Sequence, residues 1–225
     1  AYSIQHLEHL NPSTDTTFFT KTSAEYWWTR DRQANDSTKI WVTNAGGGIG
    51  NHPKTETISA GGTKKFHVRA VRDASLPPTI QQRFLMMNTT VIDSITMLQW
   101  QRILTTDSVT WEDALQMADT SSYAGYTDWR LPNIKELYAV TDEKLVNPCM
   151  SDTLFSNLTP ALFWSSTTLI NQPGKAWMMD NKFGITTYKD KTQKCNVILV
   201  RNAPTVTTGY HEVFVKSVRI YPNPF

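Results

Sequence analysis

Two stretches of the chain carry matching residues in the same order at an offset of 136 or 137 positions. Asn11-Pro12 matches Asn147-Pro148, Asp15-Thr16 matches Asp152-Thr153, Phe18 matches Phe155, Ala24 matches Ala161, and Tyr26-Trp27 matches Phe163-Trp164. The register runs on through Trp41 with Trp177 and Gly48 with Gly184. It then drops to 129 at Val71-Arg72 with Val200-Arg201, which reads as a longer loop in the first stretch. Self-similarity at a fixed spacing constrains a fold more than any single motif, because both stretches must satisfy one structural scheme. The expected organisation is therefore the back half of one domain (1–73), a linker (74–83), a complete domain (84–203), and a linker with the start of something further (204–225).

Length and composition agree with a domain and a half. The 225 residues exceed the ~100–150 of a common single domain, and 40% hydrophobic residues can supply a core. A net charge of +2 is too mild to point to nucleic acid. No apolar run approaches the ~18 residues of a membrane span, and Ala1-Tyr2-Ser3 offers neither an initiator Met nor the apolar region of a signal peptide, as expected of a cut inside a longer chain. The two cysteines, Cys149 and Cys195, cannot build a zinc ribbon. In an exported protein they form one disulfide around the Trp164 and Trp177 strands; in a reduced one they are two small buried residues.

Local patterns outline an α+β fold. Lys39 to Thr43 and Lys65 to Val71 alternate polar with apolar, the period of half-buried strands, while Gly46-Gly47-Gly48-Ile49-Gly50 reads as a glycine-rich surface loop. Thr90 to Trp100 reads as two short strands broken by a turn at Asp93-Ser94. A helix is expected from Thr110 as N-cap with Asp113 three residues on, and Trp111, Ala114, Leu115 and Ala118 as its apolar stripe. After a turn at Tyr123 to Asp128, a second helix starts from Asn133 with Glu136 at its third position. Strands return from Phe163, which gives two helices, antiparallel sheets and long loops.

Thr90-Val91-Ile92-Asp93, Thr96 to Gln101, Trp111-Glu112-Asp113-Ala114, Asp128-Trp129-Arg130-Leu131-Pro132-Asn133, Phe163-Trp164-Ser165-Ser166-Thr167 and Val200-Arg201 together resemble the C-terminal domain of collagen-like bacterial adhesins, the Lcl-type family. Residues 10–73 resemble the last half of a second such domain. The resemblance implies a C-type-lectin-like fold, akin to formylglycine-generating domains, and a role in surface adhesion or binding of sulfated and other glycans, without a known enzyme activity. Val218 to Phe225, with Tyr221-Pro222-Asn223-Pro224, resembles the first strand of the sorting domain of type IX secretion substrates, which implies a secreted or cell-surface bacterial protein.

The signature residues Trp100, Trp111, Asp128, Trp129, Arg130, Pro132, Glu136, Trp164, Trp177 and Arg201 read first as braces of a long-loop fold, with Arg130 as an anion ligand the alternative. Contact residues are sought in loops and strand ends: Asn171 to Lys175, Asp180-Asn181-Lys182, and Tyr188-Lys189. Lys65, His67 and Arg69 fall on one face of a strand and form a second candidate, for sulfate or phosphate. Lys182, Lys189, Lys191 and Lys194 are a looser equivalent. Asp180-Asn181 departs from the Trp-Asn-Asp type of calcium-dependent lectin motif, and Cys149 and Cys195 are too far apart for a formylglycine-generating pair. No nucleophile elbow, nucleotide-binding glycine loop or metal-ligand set is evident, and the five histidines all lie outside 84–203. The expectation is a binding module without catalytic residues, metal or cofactor, whose partner is a glycan or surface protein. A noncatalytic element of a surface fibre, self-associating or assembled with others, is the alternative, and a sulfatase-modifying-like enzyme a more distant one.

Overall fold

The computed structural model describes residues 4–9, 12–20, 26–44, 46–55, 66–72 and 82–204. The expected linker, apart from Gln82 and Arg83, and the expected sorting segment beyond Pro204 lie outside these residues.

Between residues 84 and 204 the chain makes two helices and nine strands. They are β4 (Phe84–Met86), β5 (Thr90–Asp93), β6 (Leu98–Gln101), β7 (Ser108–Val109), β8 (Leu162–Thr168), β9 (Lys175–Asp180), β10 (Ile185–Asp190), β11 (Cys195–Asn196) and β12 (Val200–Asn202). Helix α1 (Trp111–Asp119) starts where the Thr110 hydroxyl accepts from the Asp113 amide, satisfying one of the free first-turn donors. Helix α2 (Ile134–Ala139) starts from a full capping box: the Asn133 side chain accepts from the Glu136 amide while Glu136 accepts from the Asn133 amide. Val140 closes it.

The strands form two sheets. Strands β12, β6, β5 and β4 make a four-stranded antiparallel sheet; β10, β9, β8, β11 and β7 make the greater part of an eight-stranded one, with β8 and β11 parallel and the other pairs antiparallel. Period-2 alternation divides the side chains of the large sheet between two interiors. Phe163, Trp177 and Met179 pack with α2 residues Ile134 and Leu137, and with Val91 and Trp100 of the small sheet. Their immediate neighbours Trp164, Ala176 and Met178 pack on the other face with α1 residues Ala114 and Ala118, and with Trp129 and Leu131. One helix on each face is what lets adjacent residues of β8 both be buried.

The earlier part of the chain adds β1 (Tyr26–Gln33), β2 (Asp36–Asn44) and β3 (Ile49–Pro53), an antiparallel meander that completes the eight-stranded sheet in the order β1-β2-β3-β10-β9-β8-β11-β7. The junction is at β3, where Ile49 lies opposite Thr186 of β10 and its amide donates to the Thr186 hydroxyl at 2.9 Å. Bonds here recur 136 residues on, which sets Trp27 and Trp28, one residue later than the sequence match of Tyr26 and Trp27, in the places of Phe163 and Trp164. The bridge Gln5–Thr14 has its counterpart in Thr141–Met150. Thr29 Oγ1 donates to the Trp41 carbonyl at 2.9 Å, as Ser165 Oγ does to the Trp177 carbonyl at 2.7 Å. The parallel bridge Trp27–His67 matches Phe163–Asn196, now with the shorter offset of 129 on the second partner.

Three expectations change. The glycine run is not a surface loop: Ile49 and Gly50 belong to β3, and Gly46 to Gly48 turn tightly against Trp177. At Gly47, where φ is +104°, an added Cβ would lie 2.5 Å from Leu7 Cδ2 and 3.2 Å from Trp177 Cζ2, so both backbone and space call for glycine. The alternating run ending at Val71 is not a full strand among its described residues. It touches β1 through a bridge at His67, whose amide donates to the Tyr26 carbonyl and whose carbonyl accepts from the Trp28 amide. The disulfide is not formed: Cys149 and Cys195 are free and buried in two different apolar interiors, Cys149 on the α2 side and Cys195 on the α1 side. The sheet between those interiors keeps the two thiols apart.

Candidate functional site

The signature residues hold the fold. Trp100 and Trp164 are fully buried, and the Trp164 indole N–H donates to the Val109 carbonyl at 2.9 Å. Trp129 donates to the Tyr123 carbonyl and Trp111 to the Ser165 carbonyl. Arg130 forks onto both carboxylate oxygens of Glu136 at 2.8 Å, so the same glutamate that caps α2 fixes the arginine. The anion-ligand reading of Arg130 has no free fork left to it. Pro132 offers its carbonyl to the Ser166 amide. Arg201 donates to Asp128 at 2.6 Å and to the Gln99 side chain, and lies 3.9 Å over the Tyr126 ring. The guanidinium holds the Asp128 carboxyl below its ordinary range.

The expected contact residues separate into those available and those spent. Asn181 is fully buried. Its side-chain oxygen accepts from the Met150 amide at 3.3 Å and the Cys149 thiol at 3.4 Å, and its amide donates to the Thr159 carbonyl at 3.2 Å. It ties three loops together and touches no solvent, which corrects its place among the contact candidates. Asp180 braces the turn by accepting from the Lys182 amide at 2.8 Å. Lys182 is exposed, its ammonium 5.3 Å from the Phe183 ring. Lys191 covers the Trp111 ring at 3.7 Å, so its ammonium is engaged there.

Lys175 and Tyr188 do converge. In the β9–β10 ladder Lys175 faces Asp190 and Trp177 faces Tyr188, which sets Lys175, Asp190 and Tyr188 on one face beside the exposed turn at Asn171. The Tyr188 ring is 43% exposed, stands edge-on to buried Trp177 at 5.7 Å, and has the Lys175 ammonium 5.5 Å from its centroid. Lys189 is half-buried on the opposite face. This gives a rigidly backed aromatic with a cation and a carboxylate at its rim.

The basic stripe of the earlier segment is also used internally. Arg69 lies 4.3 Å from the Phe19 ring and 4.7 Å from Trp27, and His67 is 4.9 Å from Trp27. Lys65 lies outside the described residues.

Local sequence reasoning missed an open cleft of about 770 Å³ between β1 and the end of α2, lined by Asp31, Arg32, Arg83, Tyr138, Glu143 and Ser151 among others. No sequence pattern links residues so distant. Within it, burial first and the neighbouring Asp31 carboxyl second push the Glu143 pKa up. Arg83 is held by the buried Asp93 at 3.1 and 2.8 Å and by the Ala139 carbonyl. Burial also pushes the Lys135 ammonium down, and it donates to the Gln5 carbonyl. The thiols are inert: burial raises Cys149 to about 12 and Cys195 to about 11. Among the described residues no three His, Cys, Asp or Glu side chains are grouped to hold a metal, and no helix is long and apolar enough to cross a membrane.

An α+β domain with antiparallel sheets, a bracing set of tryptophans and a small exposed aromatic patch is the class of module that this geometry defines. The sequence model of the Lcl C-terminal domain family matches residues 89–201, half of the chain, and the chain belongs to that family. Membership points to a surface-associated domain. A search of curated proteins finds no match to the chain.

Proposed function

We propose that this chain is a noncatalytic, secreted or cell-surface binding module of C-type-lectin-like architecture that takes a glycan or a glycan-bearing surface partner at the Tyr188–Lys175 patch. The observation that carries the reading is that, among the described contact candidates, Tyr188 and Lys175 come together on an exposed face. A sugar ring is held by stacking of its apolar face on an aromatic and by directional bonds from charged or amide groups at the rim. Tyr188 provides the first; Lys175, Asp190 and the Asn171 turn provide the second. Lys175 favours an acidic or sulfated sugar over a neutral one.

The test is a glycan-array screen of the whole chain, sulfated polysaccharides included, with calcium and with chelator. Binding that survives chelation, weakens with salt and falls at least tenfold in Tyr188→Ala and Lys175→Ala supports the reading. Binding unchanged by both substitutions places the site elsewhere. A second reading, a structural element of a surface assembly, is favoured by the way β3 extends the sheet of the complete domain. It treats residues 1–73 as the back half of a second Lcl-type domain, a reading supported by the bonds that recur 136 residues apart.

A further inference from the structure

In the eight-stranded sheet β10 lies between β9 and β3, and β3 is the segment that matches β10 itself. At the 136-residue offset Ile49 corresponds to Ile185 and Gly50 to Thr186. The observed partner of Ile49 is Thr186, and antiparallel continuation sets Gly50 opposite Ile185. Exchanging each residue for its counterpart turns the first pair into the second. The junction therefore has the symmetry of a two-fold axis between equivalent strands, as in an isologous dimer interface.

The side chains follow the same axis. Trp41 and Ile49 form an apolar cluster with Phe183, Ile185 and Tyr138 across the junction. Their counterpart Trp177 is approached from the other side by the turn holding Gly47 and Gly48, the counterparts of Phe183 and Gly184. Each copy thus lays its β-turn on the strand tryptophan of the other.

We propose that the β10 edge is a self-recognition surface of this domain: it pairs antiparallel with the equivalent strand of another copy, and in this chain β3 occupies it. The partner is a second copy of the same module, recognised through main-chain pairing at Ile185 and Thr186 and through Phe183 seated on a tryptophan of the partner. Covalent tethering gives β3 a high effective concentration, so a second chain enters only where β3 is weakened. The proposal rests on reading residues 1–73 as a half copy, and the test separates the two.

The whole chain is compared with Trp41→Ala, which empties the junction cluster without altering the backbone, and with Ile49→Pro, which removes the amide that donates to Thr186. The expected result is a monomeric parent and a mass doubling of both variants by light scattering, lost again when Thr186→Pro is added. If either folded variant, judged by near-ultraviolet circular dichroism, remains monomeric, or if its dimer survives Thr186→Pro, the proposal fails. Should Ile49→Pro not fold, Trp41→Ala decides. A Gly50→Cys/Ile185→Cys pair in the parent tests the internal register alone: failure of that intramolecular cross-link overturns the half-copy pairing, and with it the proposal. Its formation alongside monomeric variants overturns only self-recognition. Cys149 and Cys195, buried with raised pKa values, do not compete in the oxidation.

Discussion

Strands β1 and β8 share a scheme of bonds and differ in what covers them. In β8, Phe163 and Trp164 are 2% and 0% exposed, because α2 closes one face and α1 the other. In β1, the corresponding Trp27 and Trp28 are only half-buried. Trp28 packs on Phe66, and Trp27 on His67 and Arg69. Backbone pairing thus builds a sheet of the same pattern twice, but the tryptophans of β8 are buried between two helices while those of β1 stay half-exposed. The larger buried clusters lie in the later part, and β3 joins the earlier part to it at β10.

The sharpest break of this comparison is a pair of matched truncations. Trp164→Ala is expected to cost about 3–5 kcal/mol, and Trp28→Ala about 1 kcal/mol, in urea unfolding of the whole chain. Equal costs would mean that the earlier sheet is as well packed as the later one. Next comes Asp93→Ala, which strips a fully buried carboxylate from Arg83 and leaves the guanidinium with the Ala139 carbonyl as its remaining partner. About 2–3 kcal/mol is expected, below that of a wholly buried pair because Arg83 is partly solvated. Asn133→Ala removes the cap of α2 and should cost about 1 kcal/mol, with loss of helical signal confined to one short segment.

The smallest effect lies at a second contact between the earlier and later parts, the β1–α2 junction that lines the cleft. The Glu143 carboxyl has a folded pKa raised above its ordinary value of 4.5, by burial and by Asp31 of β1. A raised carboxyl pKa means that the proton is bound more tightly in the folded state. The penalty is absent below the unfolded value and grows as pH rises through the folded one. The junction should therefore be tighter in mild acid than at neutral pH, and Glu143→Gln should flatten that dependence. Hydrogen exchange of β1 amides at two pH values measures it; an unchanged slope in the variant would remove Glu143 from the junction.

What was legible in the sequence was local. Thr110 with Asp113, and Asn133 with Glu136, announce helix starts because a cap is written within four residues. The strand alternation at Lys39 to Thr43 and the turn inside Thr90 to Trp100 follow from neighbours in the chain. The role of Asn181 was not legible, since its partners at Met150 and Thr159 are brought to it by folding alone. Nor was the pairing of β3, where glycines that suggest a loop instead make room for Trp177. The repeat set Trp41 in register with Trp177 and Gly48 with Gly184, but it did not show that β3 would lie beside β10. For the patch, the loop-and-strand-end rule selected Tyr188 and Lys175 but also Asn181; only burial separates them.

Residues Val197 to Val200 have a mechanical consequence. Val197 and Leu199 point into the α1 interior while Ile198 and Val200 point into the α2 interior, and all four are buried. Just beyond, Val200 exchanges two backbone bonds with Arg130, and the Ala203 amide is held by the Met97 carbonyl. To draw the chain out past this point, four apolar side chains must leave two separate interiors at once, so the segment fastens both layers together.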